Sequence, residues 1–349
     1  MPSEPGHARP PRIRDVAARA GVGVGTVSRV LNDSPGVSED TRARVQAVMD
    51  ELGYRPSPTA RNLSLGRTQT LGVVAPFFTS PSVVERLRGI DDVIGRSGYD
   101  LTLFNVETPD QRHDAIARFA RRHRLDGVAI ISLPLREAEV RALNRDGLPA
   151  VLIDVHHRSL PHVAIDDVRG GRLAGEHLLA AGHERVAFIG DLADNPFGFS
   201  SSERRLRGLR EALGAAGLIV ADEHVKRAPY GREAAGRLTR ELLQLRRPPT
   251  AIFAASDVQA FGVMDAAARA GLTIPGDLSV VGFDDIELAA AIGLTTVRQP
   301  LRESGRRGAA LLLRALEGVG RGHGGELPEL ELVERRTVGR IERAQAVGA

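Results

Sequence analysis

From Leu71 onward the chain alternates short apolar runs with longer amphipathic stretches, and this alternation constrains its fold more than any other feature. The apolar runs are LGVVA, YDLTLF, GVAIIS, AVLID, HVAID, RVAFIG, TAIFAAS and LSVVGF. Between them lie stretches with helical spacing, such as VVERLRGIDDVIGR, GRLAGEHLLAAG, SERRLRGLREALGAAG and VMDAAARAG. Continuous apolar strands that alternate with helices are typical of a parallel sheet covered on both faces. Since these strands are too many for one ordinary sheet, we predict an α/β core of two doubly wound parallel-sheet subdomains.

The N-terminal part of the chain has a different pattern that is helical throughout. In IRDVAARA the apolar or small residues Ile13, Val16, Ala17 and Ala20 follow the spacing of one helix face. A second helical pattern follows in TVSRVLN, and a third begins after Ser38, a suitable N-cap, and ends at a glycine. We therefore predict an all-α headpiece of three helices.

The stretch GVGVGTVSRV, residues 21–30, has two interpretations. Its glycines resemble a dinucleotide-binding loop, but that loop needs G-x-G-x-x-G after a buried strand. Here the third glycine comes one residue early and a helix precedes it. A helix-turn-helix agrees better, since Gly21 can adopt the positive φ that a tight turn between two helices requires. The small core of this headpiece is expected to contain Ala20, Val22, Val27, Val30, Val45 and Val48.

Charge and composition limit the classes of partner. The whole chain carries a formal charge of +3, and residues 1–70, with ten arginines and seven acidic residues, account for all of it. A basic module beside a neutral body indicates contact with a polyanion. There is no cysteine, no apolar run long enough to span a bilayer and no apolar leader segment. We therefore expect a cytoplasmic protein with no membrane partner, disulfide or thiolate metal site.

The connector YRPSPTARNLSLGRT contains signals for one short helix. Ser57 can cap it, Pro58 suits its first turn and Gly66 can end it. Its length of about eight residues is below the roughly 12–15 at which isolated helices become stable in water. We expect this helix to form only when another molecule or subunit orders it.

Taken together, these motifs resemble the LacI-type family of bacterial repressors. The resemblance begins in IRDVAARAGVGVGTVSRVLND and continues through GRLAGEHLLAAGHERVAFIGD, FAASD, SVVGFDD and LTTVRQPLRESGRRGAALLL, from about residue 12 to residue 340. It implies a helix-turn-helix headpiece over 12–54, a hinge linker over 55–70 and an effector-binding, dimerising core over 71–340. The core would have the periplasmic-binding-protein type I fold, with approximate subdomains 71–163 plus 296–322 and 164–295 plus 323–340.

The resemblance also assigns DNA contacts. Base-reading positions of the second helix match Val24, Gly25 and Arg29, and phosphate-contacting positions match Thr26, Ser28 and Asn32. In the hinge, Leu63 matches a leucine that wedges into the minor groove, and Arg61 would suit phosphate.

Two departures from the family pattern affect the headpiece. Arg12 and Gly23 stand where the family has Ser or Thr caps. Gly25 inside the second helix costs about 1 kcal/mol relative to Ala and offers no side chain to a base. We hypothesise a headpiece that is loose off DNA and reads a narrower set of bases.

For the core, the resemblance implies an effector in the cleft at the C-terminal ends of the strands. The matching positions are Phe77, Asp154, Arg205, Ser256, Asp257, Asp284 and Gln299. Structural roles remain open for some of them, such as a helix cap for Asp257. The first-strand loop PFFTSPSV departs most from the family, which leaves the effector open between a sugar, a sugar phosphate, a nucleoside and another small metabolite.

The resulting functional prediction is a homodimeric repressor that binds a palindromic operator at the nucleoid and responds to a small-molecule effector, a sugar or sugar derivative. No cofactor is expected. An enzyme is disfavoured, because Asp284 and Asp285 are adjacent and point to opposite faces of a strand, and because no nucleophile-elbow, zinc-protease or phosphate-loop motif occurs. The alternative is a soluble sugar-binding protein with the same core.

Overall fold

The computed structural model describes residues 9, 11–55, 68–112, 114, 125–318 and 327–341. Contacts divide the chain into two compact units. The smaller contains residues up to 70 together with 123–126, and the larger contains the remainder. We describe them separately as the headpiece and the core.

The headpiece contains three helices, α1 (Ile13–Ala20), α2 (Val24–Leu31) and α3 (Glu39–Leu52). Gly21 ends α1 with φ of +63° and so makes the turn predicted for a helix-turn-helix. Ser38 caps α3 by accepting the Thr41 N–H, as its position in the sequence predicted. The three helices enclose Val16, Val27 and Val45, which are fully buried. Of the predicted core residues, Val22 is only partly buried, and the rest are buried.

The first core sheet has five strands in the order β2-β1-β3-β4-β5. The pairs β1–β3, β3–β4 and β4–β5 are parallel. Its strands are β1 (Thr70–Pro76), β2 (Asp100–Val106), β3 (Gly127–Ile131), β4 (Ala150–Ile153) and β5 (His162–Val163). Three helices accompany this sheet, α4 (Pro81–Ile94), α5 (Glu137–Arg145) and the later α11 (Leu301–Leu316). Residues of β1, β3, β4, α4 and α11 share one hydrophobic core.

The second sheet has six strands in the order β11-β10-β9-β8-β6-β7. All neighbours are parallel except β10 and β11, which are antiparallel. The strands are β6 (Val186–Asp191), β7 (Val225–Ala228), β8 (Ala251–Ala254), β9 (Ser279–Asp284), β10 (Thr295–Arg298) and β11 (Glu331–Val333). Its helices are α6 (Asp167–Ala180), α7 (Ser201–Ala215), α8 (Arg232–Leu243), α9 (Asp257–Arg269) and α10 (Glu287–Ile292). Separate hydrophobic cores lie on the two faces of this sheet.

The observed fold confirms the predicted class, a helix-turn-helix headpiece with two parallel-sheet subdomains. One detail differs from the approximate subdomain limits. β10 pairs with β9 in the second sheet, so the chain returns to the first subdomain after residue 298 rather than at 296. None of the helices in the described ranges is long and apolar enough to cross a bilayer.

A close helix crossing in the first subdomain positions one side of the later site. A Cβ at Gly305 of α11 would lie within 2.0 Å of the Arg86 carbonyl oxygen, and one at Gly89 of α4 within 1.9 Å of the Arg302 carbonyl oxygen. Only glycine permits the two backbones to approach so closely. The crossing therefore sets the position of Arg86 on α4.

Candidate functional site

The headpiece presents one face of α2 to solvent. Val27 and Val30 point into the headpiece core. On the other side Val24 is 44% exposed, and Gly25 and Arg29 are also exposed. Since residues four apart share a helix face, Val24, Gly25 and Arg29 form one accessible strip with the half-buried Ser28 and Asn32. Thr26 is half-buried at the start of the same helix.

The N-cap positions of the first two helices are Arg12 and Gly23, where the sequence lacks a Ser or Thr cap. Gly23 provides no side-chain cap for α2. At α1, the Asp15 carboxylate accepts the backbone N–H of Arg12 at 2.7 Å, while the side chain of Arg12 does not cap the first turn. The hinge residues Arg61 and Leu63 lie outside the described residues.

A cavity of about 260 Å³ lies in the core, lined by residues from both subdomains. From the first subdomain come Pro76, Phe77, Ser80, Ser82, Val83, Arg86, Ser132, Pro134, Asp154, Val155 and His156. From the second come Asp167, Asp191, Gly198, Phe199, Ser200, Ser201, Arg204, Arg205, Tyr230, Ser256 and Asp284, and Gln299 lies between the two. The volume and the mixture of aromatic, hydroxyl and charged groups suit a small polar ligand.

Backbone strain is concentrated in this cavity. Phe77, Ser132, Asp154 and Asp284 have φ of +46°, +55°, +70° and +123°. Each stands at or just after the C-terminal end of a core strand, and all four line the cavity. Positive φ at residues other than glycine is costly and is concentrated at functional sites in proteins. This strain makes the strand ends a candidate binding site.

Two of the cavity's aspartates are paired with buried arginines. Asp154 lies 2.9 Å from an Arg86 Nη and accepts the Ser132 hydroxyl. Asp167 lies 2.9 Å from Arg205, whose guanidinium also donates to the Ala255 carbonyl and stacks on the Phe283 ring. These contacts hold both arginines rigidly.

A second pair of aspartates has only amide partners. Asp284 accepts from Gln299, which in turn accepts from Arg86, so Gln299 bridges the two subdomains. Asp191 accepts from the Gln259 side chain at 3.1 Å. Burial raises the pKa of Asp191 to about 6 and that of Asp284 to about 6, although Arg205 opposes both shifts. Burial also raises the pKa of the Tyr230 hydroxyl, and the nearby Asp284 raises it further.

Aromatic side chains from both subdomains meet beside the cavity. The Phe77 ring packs edge-on against Phe197 with centroids 5.4 Å apart. Phe197 stacks on Phe199 at 5.3 Å with an interplanar angle of 11°. Phe77 and Phe199 line the cavity and offer it flat apolar surfaces.

The cavity brings together six of the seven positions expected to meet an effector: Phe77, Asp154, Arg205, Ser256, Asp284 and Gln299. Asp257 does not line it. Its carboxylate is fully buried and accepts the Thr296 hydroxyl at 2.6 Å and the Ile286 N–H at 2.9 Å, which ties α9 to the neighbouring elements. The expectation that Asp257 faces the ligand is therefore corrected, and its position is structural.

Sequence reasoning missed several cavity residues, among them Arg86, Asp191 and Tyr230. Asp191 carried a readable signal, because it ends the apolar run RVAFIGD just as Asp154 ends AVLID. No sequence pattern indicated Arg86 or Tyr230, since their places in the cavity wall depend on how α4 and the segment after β7 pack.

Family models match both parts of the chain. Residues 12–57 match the family described as bacterial regulatory proteins, lacI family, and residues 176–338 match a periplasmic binding protein-like domain. The first range covers the three headpiece helices, and the second covers most of the cavity wall from the second subdomain.

Relatives match over nearly the full length. The transcriptional repressor CytR of Escherichia coli K12 is 32% identical over 327 residues, covering 93% of this chain and 95% of CytR. A solved dimer of the lac repressor with operator and the anti-inducer ONPF has a TM-score of 0.80 at 28% identity, covering 95% of this chain and all of that chain. A cellobiose complex of the regulator CelR has a TM-score of 0.69 at 31% identity, covering 94% and 99%.

Proposed function

Because this chain belongs to the lacI family of bacterial regulatory proteins, we propose that it is a transcriptional repressor that binds a palindromic operator as a homodimer and responds to a sugar or sugar derivative in the core cavity. We place this activity in the cytoplasm, where the nucleoid DNA lies. The observation that carries the proposal is the exposed strip of α2, which combines a guanidinium and an apolar group on one face of a second helix after a tight turn.

The strip can read DNA in the major groove. Arg29 is exposed and can donate a bidentate pair of hydrogen bonds to guanine O6 and N7. Val24 offers a methyl surface to thymine. Thr26, Ser28 and Asn32 supply hydroxyl and amide groups for phosphates, which set the register of α2 without reading sequence.

The cavity supports small-molecule control. Its walls come from two subdomains, so a ligand that contacts both favours one relative arrangement over another. We propose Phe77, Asp154, Arg205, Ser256, Asp284 and Gln299 as effector contacts. In this proposal the effector acts through the linker over 55–70, which orders on DNA when two copies lie side by side, with Arg61 and Leu63 at the minor groove.

The proposal is tested by fluorescence anisotropy of the full chain on DNA from its own upstream intergenic region, with scrambled DNA as reference. We expect selective binding whose affinity falls steeply with salt, as phosphate contacts release counterions. Addition of sugars from a panel should shift that binding.

A matched pair of arginine variants separates base reading from charge. Arg29→Ala should weaken operator binding by about 1–3 kcal/mol and scrambled DNA binding much less. Arg44→Ala removes the same charge from an exposed position on α3 and should affect both DNAs alike. Equal losses for Arg29→Ala on both DNAs would show that α2 does not read bases.

A further inference from the structure

The charges around the cavity leave one wall without a counter-ion. Four aspartates and three arginines line the cavity. Asp154 is paired with Arg86 and Asp167 with Arg205, each at 2.9 Å. Arg204 lies 3.9 Å from Asp167, on the same side as that pair. The remaining two carboxylates, Asp191 and Asp284, have no ion-pair partner within 4.0 Å among the described residues.

Both unpaired carboxylates belong to the second sheet. Asp191 ends β6 and Asp284 ends β9. Asp284 is only 5% exposed and lines the cavity, and its carboxylate accepts one described hydrogen bond, from the Gln299 side-chain amide. The Asp191 carboxylate likewise accepts one described hydrogen bond, from the Gln259 side-chain amide. Each carboxylate therefore has an oxygen to which no described side chain donates, and since both residues line the cavity, a ligand there can donate to that oxygen.

Tyr230 lines the same cavity. The pKa of its hydroxyl is raised by burial first and then by the negative charges of Asp284 and Asp191. The phenol is neutral and supplies no positive charge. Arg205 attracts both carboxylates at longer range, and Arg86 attracts Asp284. Both guanidinium groups are already engaged, Arg205 by Asp167 and the Ala255 carbonyl and Arg86 by Asp154.

We propose that Asp191, together with Asp284, makes this wall a subsite for a protonated amine, so that the cavity takes a polyhydroxylated ring bearing an amino group, an amino sugar in chemical class. This inference rests on the proposed function, because it specifies the ligand of the same cavity. An ammonium group supplies three hydrogen-bond donors and the positive charge that these two carboxylates lack. A phosphate would be repelled by the same two carboxylates. In this proposal the serine hydroxyls of the cavity hydrogen-bond to the hydroxyl groups of the sugar ring, and Phe77 and Phe199 pack against the C–H face of that ring.

The test is calorimetric titration of the full chain at pH 7.5 with sugars that differ only in one amino or hydroxyl group. The pairs are D-glucosamine with D-glucose, D-galactosamine with D-galactose and D-mannosamine with D-mannose, and glucose 6-phosphate is the anionic probe. We expect the amino member of at least one pair to bind at least tenfold more tightly than its partner, and the phosphate to bind most weakly.

Two variants assign the preference to a residue. Asp191→Asn keeps the size of the side chain and should reduce the amino preference to within about twofold. Asp222→Asn removes the same charge from a fully exposed carboxylate outside the cavity and should leave the preference unchanged. The inference is overturned if no amino sugar binds, if the neutral members bind as tightly, if the phosphate binds best, or if the preference survives Asp191→Asn.

The same preparation, assayed on operator DNA, separates this inference from the proposed function. Selective DNA binding that responds only to a neutral sugar or a phosphate keeps the repressor and overturns the amine subsite. Amino-sugar binding without selective DNA binding keeps the subsite and overturns the repressor.

Discussion

At the scale of single residues, Asp191 lowers the stability of the folded protein when it is ionised, because burial disfavours its charged form. Its raised pKa of about 6 means that the folded chain retains a proton that the unfolded chain releases near pH 4. Stability is therefore lost as pH rises from about 4 to about 6, and the loss is complete above that window. Residues kept in an unfavourable state inside a cavity are typical of binding sites.

Asp191→Asn should accordingly stabilise the ligand-free protein at pH 7.5. Two pKa units correspond to about 3 kcal/mol, and solvent in the cavity reduces the effect, so we expect a gain of about 1–3 kcal/mol. The gain should shrink as the pH falls from about 6 and should be lost below about pH 4, where Asp191 is protonated in both states. Thermal melts of the two proteins from about pH 3 to pH 8 measure it.

Asp154→Asn is the control for that substitution, because Asp154 compensates the buried guanidinium of Arg86. Removing one member of a buried ion pair leaves the other charge uncompensated, so this variant should melt at a lower temperature at pH 7.5. A matching loss for Asp191→Asn would show that Asp191 stabilises the fold as Asp154 does.

The residue scale also shows where sequence reasoning reaches its limit. Asp154 and Asp284 were expected at the cavity from the family resemblance, and their places at strand ends agree with it, because the carboxyl ends of parallel strands meet at one edge. Asp257 also follows a strand but starts α9, and its carboxylate turns toward Thr296 rather than the cavity. The direction of a side chain at a helix start depends on tertiary packing, which no spacing in the sequence encodes.

At the scale of elements, the crossing of α4 and α11 connects packing to the site. Gly305→Ala would place a methyl group 2.0 Å from the Arg86 carbonyl oxygen. The helices must separate, so we expect a loss of stability of about 1–3 kcal/mol together with weaker ligand binding as Arg86 moves. Gly214→Ala in α7 is the matched control, since nothing lies within 4 Å of its Cβ, and it should be neutral or slightly stabilising. Equal melting temperatures for the two variants would contradict the role of the crossing.

Helix α2 gives a second prediction at this scale, derived from its uncapped start and internal glycine. A Cβ at Gly25 meets no atom within 4 Å. Gly25→Ala should stabilise the helix by about 1 kcal/mol, which corresponds to roughly fivefold slower amide exchange of α2 in the DNA-free protein. Exchange in the core should not change. A free α2 that already exchanges as slowly as the buried core strands would refute the idea of a loose headpiece.

The strands of the core differ in how well they could be predicted from the sequence. The eight apolar runs became β1 to β6, β8 and β9. Most of these strands are buried, as their apolar sequences predict, but β2 is largely exposed and β5 has only two residues. The segments VKRA, TTVR and ELV became β7, β10 and β11 without having been recognised as strands. They are short and partly polar, and β7 and β11 lie at the sheet edges, so neighbouring strands rather than local apolar pattern determine their conformation.

At the scale of the whole molecule, one side chain connects the two walls of the cavity. Gln299 donates to Asp284 of the second subdomain and accepts from Arg86 of the first. Phe77 and Phe197 make an aromatic contact between the same two subdomains. A ligand that competes for Asp284 or inserts between the rings must alter these contacts. Ligand binding therefore has a physical route to the relative arrangement of the subdomains.

If that arrangement controls DNA binding, operator and effector must influence each other equally. A sugar that changes operator affinity tenfold must have its own affinity changed tenfold by operator DNA, a coupling of about 1.4 kcal/mol. Anisotropy with and without saturating sugar gives the first factor, and calorimetric titration of the sugar with and without saturating operator gives the second. Arg29→Ala should bind the operator more weakly, so at an operator concentration that just saturates the wild type it should bind the sugar more nearly as the DNA-free wild type does. Two unequal factors in the wild type would mean that DNA and sugar do not act on one shared equilibrium, and the cavity would then have a role separate from repression.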